Sequence, residues 1–202
     1  KREKATSNIC TAQALLATMA GMYAVYHGRE GLTRIASHCH AATGQLAGML
    51  EKMGCRQLYA DYFDTLRIRL PENISWKDVR TQALQRAINL RYFDDGTIGI
   101  SLDETTSLED INLLAEVFAA AAGKPGLPAA GIQDKQYFDR KFLRTSAFLE
   151  APVFNRYRSE TEMMRYIKKL ERRDISLADS MISLGSCTMK LNAAVEMLPL
   201  SW

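Results

Sequence analysis

At residue 65 the hydrophobic period of the chain changes from about 3.6 to 2, and this switch restricts the available folds more than any other feature. Upstream, Ile9, Ala12, Leu15, Leu16, Met19, Met22, Tyr23 and Tyr26 recur at the spacing of one helix face. After Gly28, a second helical stripe runs through Leu32, Ile35, Ala36, Cys39, Ala42, Leu46, Met49, Leu50 and Met53, and Gly54 supplies its stop. Then Leu66, Ile68 and Leu70 alternate with Thr65, Arg67 and Arg69, which describes a half-buried strand with basic side chains on its wet face. A weaker strand is expected from Arg56 to Ala60.

Further signals complete the pattern. Ser75 followed by Asp78 predicts a capped helix running to about Ile88. Asp94-Asp95-Gly96, ahead of the alternating Ile98, Ile100 and Leu102, predicts a hairpin. Thr106 with Glu109 predicts the start of a helix whose apolar face is Ile111, Leu114, Val117, Phe118 and Ala121. A mostly antiparallel sheet of three or four strands, with helices on one face, buries all of these stripes together, so an α+β domain is expected. Gly123-Lys124-Pro125-Gly126-Leu127-Pro128 marks its end, because glycine frees the backbone and proline removes a donor. Beyond it, aromatics from Tyr137 to Arg158 lack a clean period and read as anchors. Ser159 with Glu162 opens a helix to about Arg173.

Charge excludes little but decides one point. Lys and Arg number 26 against 23 Asp and Glu, too even a balance to argue for nucleic acid. Charged residues recur too often for the roughly 18 to 20 apolar residues of a membrane span. Cys10, Cys39, Cys55 and Cys187 have no paired spacing, so a reducing, cytoplasm-like compartment is the simplest reading. A start at Lys1 and an end at Trp202, directly after Pro199-Leu200-Ser201, do not look like natural termini.

Candidate chemistry is sparse. His38-Cys39-His40 holds metal-ligand residue types, yet helical residues two apart point roughly 200° from one another, so core and surface positions are the simpler reading. Gly123-Lys124 lacks the preceding glycine and following hydroxyl of a phosphate loop. Arg165, Lys168, Lys169, Arg172 and Arg173 are interleaved with Glu160, Glu162, Glu171 and Asp174, as on a solvated helix face. Gly185-Ser186-Cys187-Thr188-Met189-Lys190 gathers two hydroxyls, a thiol and an amine behind a glycine, but has no histidine or carboxylate at defined distance to activate a nucleophile.

Longer motifs are more specific. Arg2-Glu3-Lys4-Ala5-Thr6-Ser7-Asn8-Ile9-Cys10-Thr11, Ala24-Val25-Tyr26-His27-Gly28, Tyr62-Phe63-Asp64-Thr65-Leu66, Leu102-Asp103-Glu104-Thr105-Thr106, Pro152-Val153-Phe154-Asn155-Arg156-Tyr157, Ser159-Glu160-Thr161-Glu162-Met163-Met164-Arg165-Tyr166 and Leu184-Gly185-Ser186-Cys187-Thr188-Met189-Lys190-Leu191-Asn192 stand in order along the chain. Together they resemble the P-protein of the glycine cleavage system, the pyridoxal-phosphate-dependent glycine decarboxylase family. The resemblance implies two homologous halves, each with the aspartate-aminotransferase-like fold (fold type I). Residues 1–27 would be the helix leaving the large domain of the first half, and 28–123 its small α+β domain. Residues 124–180 would be the connector and 181–202 the opening of the second, catalytic half.

The same resemblance implies a parent enzyme that decarboxylates glycine on pyridoxal phosphate. It passes the aminomethyl group to the lipoyl arm of H-protein and works as a homo-oligomer in the bacterial cytoplasm, or in the mitochondrion of a eukaryote. The family's cofactor-linked lysine, in a His-Lys-Thr setting before a glycine run, would lie beyond Trp202; Lys4, Lys52, Lys77, Lys124, Lys135, Lys141, Lys168, Lys169 and Lys190 lack that context. The chain alone is therefore expected to bind no cofactor and to be inactive, with no catalytic residue and no metal. Ser186, Cys187, Thr188 and Lys190 are expected to approach the active site of the parent protein. Ala151 and Arg158 stand where the family is expected to carry histidines, and His38-Cys39 replaces an arginine and an aliphatic residue, whereas His40 follows the pattern. An independent interaction or nucleic-acid-binding module is the alternative. The helix from Ile9 to Tyr26, without the large domain, is expected to expose an apolar face that favours self-association or domain exchange.

Overall fold

The computed structural model describes residues 11–125, 131–132, 140–173 and 179. The chain forms two compact units, one of residues 29–148 and one of residues 1–28 with 149–202. Helix α1 (Thr11–Lys52) contributes to both and is interrupted at Gly28, whose φ of 59° and ψ of −171° are not helical. The two helices and the break between them that the sequence signals are thus observed, with the break at Gly28.

In the unit of residues 29–148, strands β1 (Arg56–Gln57), β2 (Thr65–Arg69), β3 (Arg91–Tyr92) and β4 (Ile98–Ser101) form an antiparallel sheet in the order β1-β2-β4-β3. The register sets Leu66 opposite Ile100 and Ile68 opposite Ile98. These four side chains lie on one face and are fully buried against α1, α2 (Trp76–Gln85) and α3 (Leu108–Ala121). Leu46 and Leu50 come from α1, Val79 and Ala83 from α2, and Ile111, Val117 and Phe118 from α3. Each large apolar side chain buried this way contributes about 1.5–3 kcal/mol. The expected α+β architecture, with a mostly antiparallel sheet, is observed.

The other sheet face is built differently. Gly99 lies between Arg67 and Arg91 in the register, and the missing side chain makes room for the Phe93 ring. The Arg67 guanidinium stands 4.2 Å from that ring's centroid and donates to Thr97 and Asp95. Asp95 also accepts from the backbone N–H and hydroxyl of Thr97, which fixes the hairpin turn.

Three helices end in the same way. In each, the N–H two residues past the last cap position bonds the carbonyl five residues earlier: Cys55 to Leu50, Ile88 to Ala83 and Lys124 to Ala119. The intervening residue is left-handed, and it is Gly54, Ala87 and Gly123 respectively. Helix α2 therefore stops at Gln85, short of the expected Ile88, because Ala87 turns the chain without the glycine that would have announced it. Helix α3 begins one residue later than Thr106 implied. Ser107 is its cap, and its hydroxyl and backbone N–H exchange hydrogen bonds with Asp110. Thr106 instead belongs to the preceding turn, where Asp103 accepts from Thr105 and Thr106. At Ser75 the hydroxyl accepts from Lys77, so α2 is capped by that single bond.

Two outcomes follow for stability. Ala87 at φ 56° carries the left-handed penalty of a Cβ, so Ala87→Gly raises stability by about 1 kcal/mol in urea denaturation. Asp95, Asp103 and Asp110 are held below the ordinary carboxyl value of 3.8, chiefly by hydrogen bonds from Thr97, Thr105 and Ser107. A depressed folded value means that their stabilisation is complete above pH 3.8 and is lost as pH falls through the lower folded values. Urea midpoints measured from pH 6 downward should therefore fall through that acid range, and less steeply in Asp110→Asn.

Candidate functional site

The three clustered ligand-type residues of α1 are separated by the helix, as their spacing requires. His38 donates through Nε2 to the Thr106 carbonyl at 2.9 Å, and His40 donates through Nδ1 to the Phe63 carbonyl at 3.1 Å. Cys39 is buried between them in sequence, and burial raises its thiol above the ordinary value. Burial likewise pushes the Cys55 thiol up to about 11. Among the described residues no group of three His, Cys, Asp or Glu is arranged to hold a metal ion. The histidines thus tie α1 to the turns before β2 and α3.

His40 also lines a cleft of about 620 Å³. One wall is α1, with Arg29, Leu32, Thr33, Ala36 and Ser37, and the other is the segment from Phe142 to Phe148. The guanidiniums of Arg29 and Arg144 lie 5.4 Å and 4.9 Å from the centroid of the same Phe148 ring. Stacking of this kind orients a planar cation and leaves its N–H edges available. Arg144 spends its Nε–H on the Ser146 carbonyl. Among the described residues no carboxylate lines the cleft. Sequence reasoning missed this site, because its residues come from a helix and a segment more than a hundred positions later. The only local signal was aromatics without a period.

The other unit holds a second arrangement around Gly28. Arg158 donates to the carbonyls of Val25 and Tyr26, which lie just ahead of the break in α1, and to the Phe154 carbonyl. Phe154 belongs to a short 3-10 turn, Pro152–Asn155. A Cβ at position 28 would collide with the Arg158 guanidinium and the Phe154 carbonyl. Helix α4 (Glu160–Glu171) follows, with Ser159 accepting from the Glu162 N–H as its sequence predicted, and Tyr157 stacks on Tyr166 at 4.1 Å. Where a histidine was expected, Arg158 therefore does a job of its own. It satisfies carbonyls that the break in the helix leaves without intrahelical partners.

Other candidates resolve more simply. Arg165, Lys168, Lys169 and Arg172 gather on one side of α4, with Lys168 bonded to Glu171 at 2.7 Å. Lys52, Lys77, Lys124, Lys141 and Lys169 are exposed. Ala151 caps the Pro152 turn without a side-chain bond. Leu15, Leu16, Met19 and Tyr23 of α1 are exposed, as expected for that apolar stripe. No helix among the described residues is long and apolar enough to cross a membrane. Ser186, Cys187, Thr188 and Lys190, together with Lys4, Lys135, Cys10 and the stretch 181–202, lie outside the described residues.

An antiparallel sheet with one face buried under helices defines the unit of residues 29–148 as α+β. Residues 1–118 match the family model described as glycine cleavage system P-protein. The whole chain is 59% identical to a glycine dehydrogenase (decarboxylating) of Bacteroides thetaiotaomicron, 51% to that of Flavobacterium johnsoniae and 50% to that of a Nostoc species. In each case all of this chain is aligned, and it spans about a fifth (21%) of the relative's length. The chain belongs to the glycine cleavage system P-protein family.

The Gly28 arrangement has a direct test. Its φ and ψ lie in a region open essentially to glycine, so Gly28→Ala costs at least about 1–3 kcal/mol. Arg158→Ala and Arg158→Lys, which both lose the forked donor, should each speed amide hydrogen exchange at residues 20–28 while leaving exchange at Ile98 and Ile100 unchanged.

Proposed function

We propose that this chain is the portion of a glycine-decarboxylating P-protein that joins its first half to its second. Identity of 50–59% along the entire chain carries the reading. In it, residues 1–27 form the helix leaving a large domain, and 28–123 form the small domain of an aspartate-aminotransferase-like half. Residues 124–180 connect, and 181–202 open the catalytic half. The antiparallel sheet covered by helices on one face supports the assignment of the small domain. Leu15, Leu16, Met19 and Tyr23 then present the face of α1 on which the large domain packs.

The parent protein, in this reading, decarboxylates glycine and transfers the aminomethyl group to the lipoyl arm of H-protein, as a homo-oligomer in the bacterial cytoplasm. Pyridoxal phosphate would supply the electron sink for the loss of CO2. The described residues do not fit that group. It needs a lysine amine within a lined cavity and a carboxylate for its ring nitrogen, and the 620 Å³ cleft is lined by neither. The part assigned to this chain is accordingly structural: it carries the small domain, spans to the catalytic half and brings Ser186, Cys187, Thr188 and Lys190 toward the active site.

The purified chain should show no absorbance band with pyridoxal phosphate that hydroxylamine abolishes, and glycine decarboxylation should return when it is combined with the remaining segments. A hydroxylamine-sensitive band in the chain alone, or salt-dependent retention on DNA with no such restoration, overturns the reading. Within the full-length enzyme, Thr188→Ala should lower turnover or cofactor affinity; unchanged values would leave residues 186–190 as a brace between halves.

A further inference from the structure

The cleft between α1 and the segment from Phe142 to Phe148 has the chemistry of a binding site. Its cationic side is formed by Arg29 and Arg144, both held over Phe148. A guanidinium offers five N–H donors in a fixed plane, and of the two sets only the Nε–H of Arg144 is committed to a protein acceptor among the described residues. Neither cation has a carboxylate partner there. Thr33, Ser37, Thr145 and Ser146 add hydroxyl groups along the same walls. Leu32, Ala36, Phe142 and Leu143 supply apolar surface, and the volume of about 620 Å³ falls in the range of small-molecule sites. Cations without counter-charges beside an apolar wall are complementary to an oxyanion attached to an apolar body.

We propose that this cleft binds a small organic oxyanion, a carboxylate or phosphate with an aromatic or aliphatic body. Arg29 and Arg144 grip the head group, and the Leu32 and Phe142 side takes the body. The described lining residues include no lysine, and all of them belong to the unit of residues 29–148.

The test uses phenyl phosphate, phenylacetate and inorganic phosphate, titrated into the 202-residue chain labelled with 15N and followed at the arginine Nε–H resonances. The expected result is saturable shifts at Arg29 and Arg144 with phenyl phosphate or phenylacetate, whichever is tighter identifying the head group. Binding should be at least tenfold tighter than for inorganic phosphate. Arg29→Gln and Arg144→Gln should each weaken it at least tenfold, whereas Arg86→Gln, just past the end of α2, should not. Ser37→Trp, which fills the cleft and keeps both cations, should abolish binding of the aromatic probes. No saturable shift with either aromatic probe, shifts spread equally over all arginines, or affinities equal to that of inorganic phosphate would each overturn the proposal. Unchanged dispersion of the amide spectrum in every variant separates loss of the site from loss of the fold, and a failed titration leaves the P-protein reading untouched because that reading rests on identity along the chain and not on this cleft.

Discussion

Burial of a single sheet face is the constraint on which the larger unit depends. Leu66, Ile68, Ile98 and Ile100 form a flat apolar surface only about two strands wide, and no one helix can cover it. Helices α1, α2 and α3 share the task, with Phe118, Leu46 and Leu50 at the centre, each essentially inaccessible to water. The connections between elements answer to that requirement. The left-handed residues after α1 and α2 turn the chain back toward β1 and β3, and the hydrogen bonds of Asp95, Asp103 and Asp110 fix the turn between β3 and β4, the turn after β4 and the start of α3. His38 and His40 belong to the same scheme, since one imidazole fastens α1 to the turn before α3 and the other to the segment before β2, each through a backbone carbonyl.

Much of this was legible in the sequence because the relevant physics is local. A period of two at Leu66 to Leu70 and Asp94-Asp95-Gly96 before Ile98 located the central strand pair, and the helix stripes ending at Met53 and beginning at Ile111 pointed to faces now buried. The failures are equally local. Ala87 performs the role that Gly54 and Gly123 perform elsewhere, so the end of α2 carried no glycine to mark it. At α3, Thr106 and Ser107 are adjacent hydroxyls, each followed three residues later by an acid. Only the geometry, in which Asp110 rather than Glu109 reaches back, separates cap from turn.

The site residues were less legible for a different reason. Arg29, Arg144 and Phe148 meet only after the chain has formed its whole sheet, and no spacing rule links positions that far apart. Arg158 is a similar case. As a departure from the family pattern it counted against acid-base chemistry at that position, and the structure gives it a positive role as donor to the carbonyls exposed at the α1 break. Family membership came from long ordered motifs, which carry more information than periodicity but say nothing about which side chains touch.

The sheet is also protected at its margins. Both outer strands, β1 and β3, are two residues long, and each begins with an arginine, Arg56 and Arg91. An edge so short offers an approaching strand almost no ladder of free N–H and C=O groups, and a charge on it must be desolvated before any pairing forms. Growth of the sheet by addition of a foreign or identical strand is therefore discouraged at both ends. For a protein whose helices leave large apolar side chains exposed, this confines association to side-chain packing and keeps it away from the backbone-templated route that leads to fibrils.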